Sequence, residues 1–246
     1  MTDDGLNFPR IIGHRGALGH APENTLAGIR RAKLFGLSWV EFDVALTRDN
    51  VPVLMHDETV NRTTNGKGKL AEMTAASVRV LDAGSWKSEE FTGEHVPTLE
   101  EAFKTLQELG MGANIEIKPT KGREVETGTL VAKQVAAAWP QSLPRPLLSS
   151  FQSESLVAAR NAAPGIARGY LLNRIGRNWR REAEALECVS IHCNQRPLDR
   201  KTAAEIRHAG YHLLSYTVNE ASRARLLLDW GVDAVFTDYP DRLLTI

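Results

Sequence analysis

The chain's 246 residues suffice for one sizeable hydrophobic core, or at most two small domains. With 42% apolar and 24% charged residues the composition is that of a soluble globular protein, and 30 Lys+Arg against 30 Asp+Glu argue against nucleic acid or an anionic membrane as partner. The acidic start MTDDGLNFPR does not read as a signal peptide, and no apolar stretch reaches the length of a membrane span. Cys188 and Cys193 are five apart on one expected strand, where a bridge is geometrically disfavoured. Both are expected to be reduced and buried, and the expected location is cytoplasmic.

In chain order, Arg10-Ile11-Ile12-Gly13 reads as a first strand ending in His14-Arg15-Gly16. Asn24 or Thr25 then caps a helix whose apolar stripe begins Leu26, Ile29, Ala32, and Gly36 ends it. Strand two is Trp39–Val44. A turn at Asp49-Asn50 leads into Val51–Met55, too close behind for a parallel neighbour, which requires a crossover of about a dozen residues. It is therefore expected as the returning arm of a hairpin. The polar, Gly- and Thr-rich segment of about residues 58–95 is expected to lie over the domain as a lid or binding loop. Thr98 and Glu101 form a capping-box signature.

Strands and helices then alternate. Strands are expected at Gly112–Lys118, Pro146–Ser149, Ala167–Leu172, Cys188–Cys193, His212–Val218 and Asp233–Thr237. Helices are expected at Glu124–Trp139, Ser153–Ala163, Asn178–Leu186, Asp199–Ala209 and Glu220–Trp230. Setting the hairpin arm aside leaves eight strands, each followed by a helix. This predicts a single (β/α)8 TIM barrel over residues 1–246 with a small insertion after strand two. An open doubly wound sheet is the alternative, but the chain has no Gly-rich dinucleotide loop.

The polar residues gather at the strands' C-terminal ends, where such barrels carry their sites. Glu41 and Asp43 share one face of strand two, because side chains alternate with period 2. Asn114, Glu116 and Lys118 repeat the pattern on strand three, and Ser190, His192 and Asn194 share a face of strand six. Each group alone has an ordinary explanation as a solvated face, a surface ion pair or a hydrogen-bonded histidine. Together they place three carboxylates and two histidines at one barrel mouth. Uncompensated carboxylates would raise one another's pKa, and one divalent cation removes the problem. All-oxygen ligands favour Mg²⁺ or Ca²⁺ over zinc. With Arg15 and Lys118 the site turns positive and suits a phosphate, and His14 and His56 suit acid–base work near neutral pH. The sum reads as phosphodiester cleavage.

His14-Arg15-Gly16, Glu23-Asn24-Thr25, Glu41-x-Asp43, His56-Asp57 and Glu116-x-Lys118 together resemble the motif set of the glycerophosphodiester phosphodiesterases, most closely their bacterial cytosolic branch. The resemblance runs on through the Asp-Ala-Gly-Ser-Trp run at Asp82–Trp86, then Ser149-Ser150-Phe151, Tyr216-Thr217-Val218-Asn219 and Thr237-Asp238, nearly the whole chain. It implies a (β/α)8 barrel hydrolysing small glycerophosphodiesters, such as glycerophosphocholine and glycerophosphoethanolamine, to sn-glycerol 3-phosphate and an alcohol. It implies His14 and His56 as the catalytic pair. Which of them is acid and which base is not legible in the sequence; the working assignment is His56 as acid and His14 as base. Glu41, Asp43 and Glu116 would be metal ligands, Arg15 and Lys118 phosphate contacts, and Phe151 and Tyr216 pocket walls beside the glycerol. Position 216 is often Trp in the family and is Tyr here. The rival readings are a lipid-directed phosphodiesterase of the lysophospholipase D type, a metal-dependent barrel lyase or aldolase, and a catalytically silent binding protein. No stable membrane insertion is expected, and oligomeric state is not legible.

Overall fold

Eight apolar runs of strand-forming residues pair in parallel and close on themselves. The computed structural model describes residues 5–246; the first four residues of the acidic amino-terminal run lie outside the described residues. β1 (Ile11–Gly13) is followed by β2 (Trp39–Leu46) and its antiparallel partner β3 (Pro52–Leu54), then β4 (Gly112–Ile117), β5 (Leu147–Ser150) and β6 (Ala167–Leu172). β7 (Ser190–Asn194), β8 (His212–Tyr216) and β9 (Ala234–Thr237) complete the sheet. The order β1-β9-β8-β7-β6-β5-β4-β2 is closed by the β1–β2 pairing, so the protein is a TIM barrel with β3 as a ninth strand hanging on β2.

The outer layer is α1 (Leu26–Leu34), α3 (Leu99–Leu109), α4 (Glu124–Ala138), α5 (Ser153–Ala162), α6 (Trp179–Ala185), α7 (Arg200–His208) and α8 (Ala221–Asp229), while the short α2 (Ala75–Arg79) lies between β3 and α3. A 3-10 turn, Pro240–Arg242, follows β9. Among the described residues no helix is long and apolar enough to cross a membrane. Val40, Phe42 and Val44 on β2, with Ile115 and Ile117 on β4, face this layer and pack with Leu99, Phe103 and Leu106 of α3. The alternate residues point inward. Ile12, Trp39, Leu147, Leu214 and Phe236 fill the lower barrel, with Phe8 edge-on against Trp39 below them. The apolar plug leaves the polar inward residues at the opposite, C-terminal end.

Several local expectations hold in detail. Thr98 caps α3 and Glu101 answers it in a full capping box. Thr25 caps α1 through the Gly28 amide. The hairpin register is Val44↔Leu54, Ala45↔Val53 and Leu46↔Pro52. Its turn is held by Thr47 and Asp49, with Asn50 at φ 65°. One strand differs. β7 begins at Ser190 and ends at Asn194, two residues later at its start than the apolar run at Cys188 suggests. Cys188 lies ahead of the strand, both cysteines are free and buried, and burial pushes each thiol up to about 12.

The polar segment after β3 holds itself down with its own apolar residues. Val60, Leu70, Val78, Ala83 and Val96 pack against Ala45, Val53 and Met55 on the outer hairpin. Its Lys87 donates to the Leu18 and Gly19 carbonyls, and its Glu94 accepts from the Ala27 amide at the start of α1. The loop between β1 and α1 is therefore clamped from outside.

The same loop is clamped from within by close backbone approach. Gly16 has φ 89°, and a Cβ there would lie 2.5 Å from the carbonyl carbon of Gly28. Gly16→Ala should therefore destabilise the protein by about 2 kcal/mol or more through steric and backbone strain. The urea unfolding midpoint measures it, and an unshifted midpoint would contradict this packing.

Candidate active site

The barrel mouth is built on adjacent strands in register. Asp43 on β2 stands beside Glu116 on β4, and Glu41 beside Asn114. The parallel pleat turns all four into the barrel, and carboxylate oxygens of Glu41, Asp43 and Glu116 lie within 4.8 Å of one another. Glu41 and Asp43 are only 4% and 1% exposed, too buried for water to screen the crowding.

The electrostatics show the strain. Burial, then Asp43 and Glu116, push the Glu41 carboxyl well above the usual carboxylate range. Burial and Asp43 raise Glu116 to about 7, with Lys118 and Arg15 opposing. Burial would raise Asp43 too, but Arg15, His56, Lys118 and the Asn24 amide outweigh it and hold that carboxyl low. Three oxygen donors that cannot comfortably ionise together, with the buried Asn114 Oδ1 lacking a hydrogen-bond partner in the same cavity, fit a hard divalent cation.

Of the two residues expected to cap α1, Thr25 does so and Asn24 turns to Asp43. Asn24 takes φ 55°, donates through Nδ2 to Asp43 Oδ2 at 2.9 Å, and accepts the Asp43 amide at 3.0 Å. Arg15, at φ 50°, gives its amide to Glu41 Oε2 at 2.9 Å and its Nη1 to Glu23 Oε1 at 2.7 Å. Its Nε lies 3.3 Å from Asp43. Lys118 Nζ is 3.1 Å from Glu116 and 3.8 Å from Asp43.

The two histidines are oriented alike. His14 Nδ1 is 2.7 Å from Asp238 Oδ1, and His56 Nδ1 is 2.7 Å from Asp57 Oδ1. Both carboxylates are held below their ordinary range. In Asp57 the Arg62 hydrogen bond leads; in Asp238 burial raises the pKa but His14 and Asn219 outweigh it. An ionised carboxylate only accepts, so each Nδ1 carries the proton and each Nε2 is left for the cavity. His14 Nε2 sits 3.9 Å from Glu41 Oε2. Burial lowers the pKa of His56, with Arg15 and Lys118 adding to it against Asp43 and Asp57.

A cavity of about 340 Å³ opens over this group. It brings together His14, Arg15, Glu41, His56, Glu116, Lys118, Phe151 and Tyr216, with Asp43 buried beneath. Phe151 and Tyr216 meet edge to face at 5.9 Å, and the Tyr216 hydroxyl donates to the Leu172 carbonyl at 3.0 Å. His192 is not among the lining residues. It is buried against Ser190 at 3.0 Å, and burial drops its pKa to about 3, so it stays neutral.

Sequence reasoning left four supporting residues without roles. They are Asp238, Asn219 behind it at 2.8 Å, Asp57, and Arg62, which spans Asp57 and the buried Glu23. A Thr-Asp pair at the end of the last barrel strand, and an acid adjoining His56, were the available signals.

A model of the glycerophosphoryl diester phosphodiesterase family matches residues 14–242. The chain is 34% identical to a glycerophosphodiester phosphodiesterase of Caldanaerobacter subterraneus over 96% of each protein. It is 34% identical to one of Bacillus subtilis over 94% of this chain and 83% of that protein. It superposes with TM-score 0.93 and 43% identity on an Oleispira antarctica phosphodiesterase solved with its product sn-glycerol-3-phosphate, covering 96% of both chains.

The raised Glu116 carboxyl sets a sign. An acid whose pKa is higher folded than unfolded makes the cation-free protein lose stability as pH rises from the ordinary carboxylate range through about 7, and the loss persists above it. Mg²⁺ or Ca²⁺ should therefore raise the melting temperature more at about pH 8 than at about pH 5.5, and Glu116→Gln should flatten the difference. Equal shifts at both pH values would contradict it.

Proposed function

The chain belongs to the glycerophosphoryl diester phosphodiesterase family, and we propose on that premise how it cleaves its substrate. The reading is hydrolysis of small glycerophosphodiesters, such as glycerophosphocholine and glycerophosphoethanolamine, to sn-glycerol 3-phosphate and an alcohol. One observation carries it: a buried triad of carboxylates beside two histidines whose Nδ1 atoms are each tied to an ionised carboxylate.

Glu41, Asp43 and Glu116 would hold a divalent cation, Mg²⁺ or Ca²⁺, which when bound supplies charge neutralisation at a phosphoryl oxygen. Arg15 and Lys118 add fixed positive charge facing the same cavity and hold the phosphate for in-line displacement. His14 Nε2 takes the proton of the attacking oxygen, which is water or the substrate's own neighbouring glycerol hydroxyl; the hydroxyl route closes a cyclic phosphate, which a water molecule then opens to sn-glycerol 3-phosphate. A new bond forms to phosphorus as the bond to the departing alcohol breaks. The electron pair leaves with the alcohol oxygen, and His56 Nε2 protonates it. Burial lowers the His56 pKa in the free site, and the anionic phosphodiester brings the negative charge that favours its imidazolium. Phe151 and Tyr216 wall the side where the glycerol lies.

A lipid-directed phosphodiesterase is the weaker alternative. The segment between β3 and α3 buries Val60, Leu70, Val78, Ala83 and Val96 against the hairpin, leaving Val80 and Trp86 as its exposed large apolar side chains. Assay on glycerophosphocholine against lysophosphatidylcholine separates the two readings.

His14→Ala and His56→Ala should each lower release of sn-glycerol 3-phosphate by about 10²-fold or more while far-UV circular dichroism stays that of the parent. Near-parental turnover in either removes the assignment. Asp238→Asn should cost less, about tenfold or more, because it releases the tautomer and orientation of His14 without removing the imidazole. Chelation should abolish turnover and Mg²⁺ or Ca²⁺ restore it; indifference to EDTA removes the metal.

A further inference from the structure

A second, smaller cavity of about 140 Å³ adjoins the catalytic one. The two share His56, Glu116, Lys118 and Phe151. His14, Arg15 and Tyr216 line the central cavity alone. We infer that the smaller cavity receives the departing alcohol and that Glu58 at its edge selects alcohols carrying a cationic amine. The inference rests on the phosphodiesterase reading and adds the side of the site and the charge that sort its substrates.

A phosphodiester joins two alcohols at one phosphorus, and in-line displacement sends the departing one away from the attacking oxygen. Lys118, which holds the phosphate with Arg15, and Glu116 border both cavities, so a phosphate seated over them sends one arm into each. His56 borders both, and an acid placed there meets the oxygen that leaves toward the smaller one. The wider basic depression at Asn173, Arg174, Asn194 and Arg196 shares only Asn173 with the catalytic cavity and none of its reacting groups.

The smaller cavity's chemistry names the alcohol. Ala45, Leu70, Ile117 and Pro119 give it an apolar wall, and its volume suits a few heavy atoms rather than an acyl chain. Its other charges are already committed. Lys118 pairs with Glu116, and Asp57 pairs with His56 and Arg62. The Glu58 carboxylate makes no ion pair or side-chain hydrogen bond among the described residues, while its carbonyl accepts the Leu70 amide at 2.9 Å and fixes where the residue sits. An apolar wall with one free carboxylate at the edge suits a short alkyl ammonium.

The test compares parent, Glu58→Gln and Glu58→Lys on glycerophosphocholine and on glycerophosphoglycerol, whose headgroup is neutral. The ratio of kcat/KM for choline over glycerol should fall about threefold in E58Q and about tenfold in E58K, carried by KM, because an exposed charge contributes to binding equally before and during the reaction. The drop should shrink with added salt. If both substrates still turn over and the ratio stays at the parental value, the Glu58 pocket is overturned and the phosphodiesterase reading stands. If the metal-loaded parent releases sn-glycerol 3-phosphate from neither substrate, the phosphodiesterase reading falls and takes the pocket with it.

Discussion

Everything at this barrel mouth answers one constraint: three carboxylates held together where water cannot screen them. Asp43 and Glu116 are forced side by side by the β2–β4 register, and Glu41 follows two residues away on the same face. Parallel strands give no freedom to separate them, because a one-residue slip would carry the whole row to the helix layer and bring Phe42 and Ile115 inward. The fold therefore creates the repulsion and must surround it with compensation. A cation is the economical answer to the remaining negative charge.

The compensation spreads outward in layers that also orient His14 and His56. Arg15 spans Glu23 and Asp43, and its amide feeds Glu41. Glu23 is in turn shared with Arg62, which reaches on to Asp57 and so to His56. On the other side Asn219 steadies Asp238, and Asp238 steadies His14. Each histidine thus sits at the end of a chain of charge-assisted hydrogen bonds that fixes its tautomer. Arg62 also ties the polar segment after β3, which packs on its own small apolar cluster, to the buried Glu23.

Much of this was legible in the sequence because it depends on local period. The alternation in β2 and β4 shows which acids face inward, the short gap at Asp49-Asn50 forces a hairpin, and Thr98-x-x-Glu101 announces a helix start. What was not legible is pairing across long chain separations. Nothing near His14 points to Asp238, 224 residues away. Asn24 and Thr25 are equally good cap candidates in the sequence, and only the fold separates them: Thr25 caps α1 while the Asn24 amide is used on Asp43. The start of β7 was misplaced because Cys188 and Val189 are as apolar as a strand, while pairing with β6 begins only at Ser190. Burial alone does not distinguish a strand from the approach to one.

The central claim is that the buried carboxylate triad exists to bind one cation and is incomplete without it. Calorimetric titration of chelator-treated protein with Mg²⁺ or Ca²⁺ at about pH 8, where Glu116 is ionised, tests it most directly. The account predicts saturable binding of a single ion per chain, and loss of that binding in Glu116→Gln. Absence of saturable binding in the parent, or undiminished binding in the variant, would contradict it.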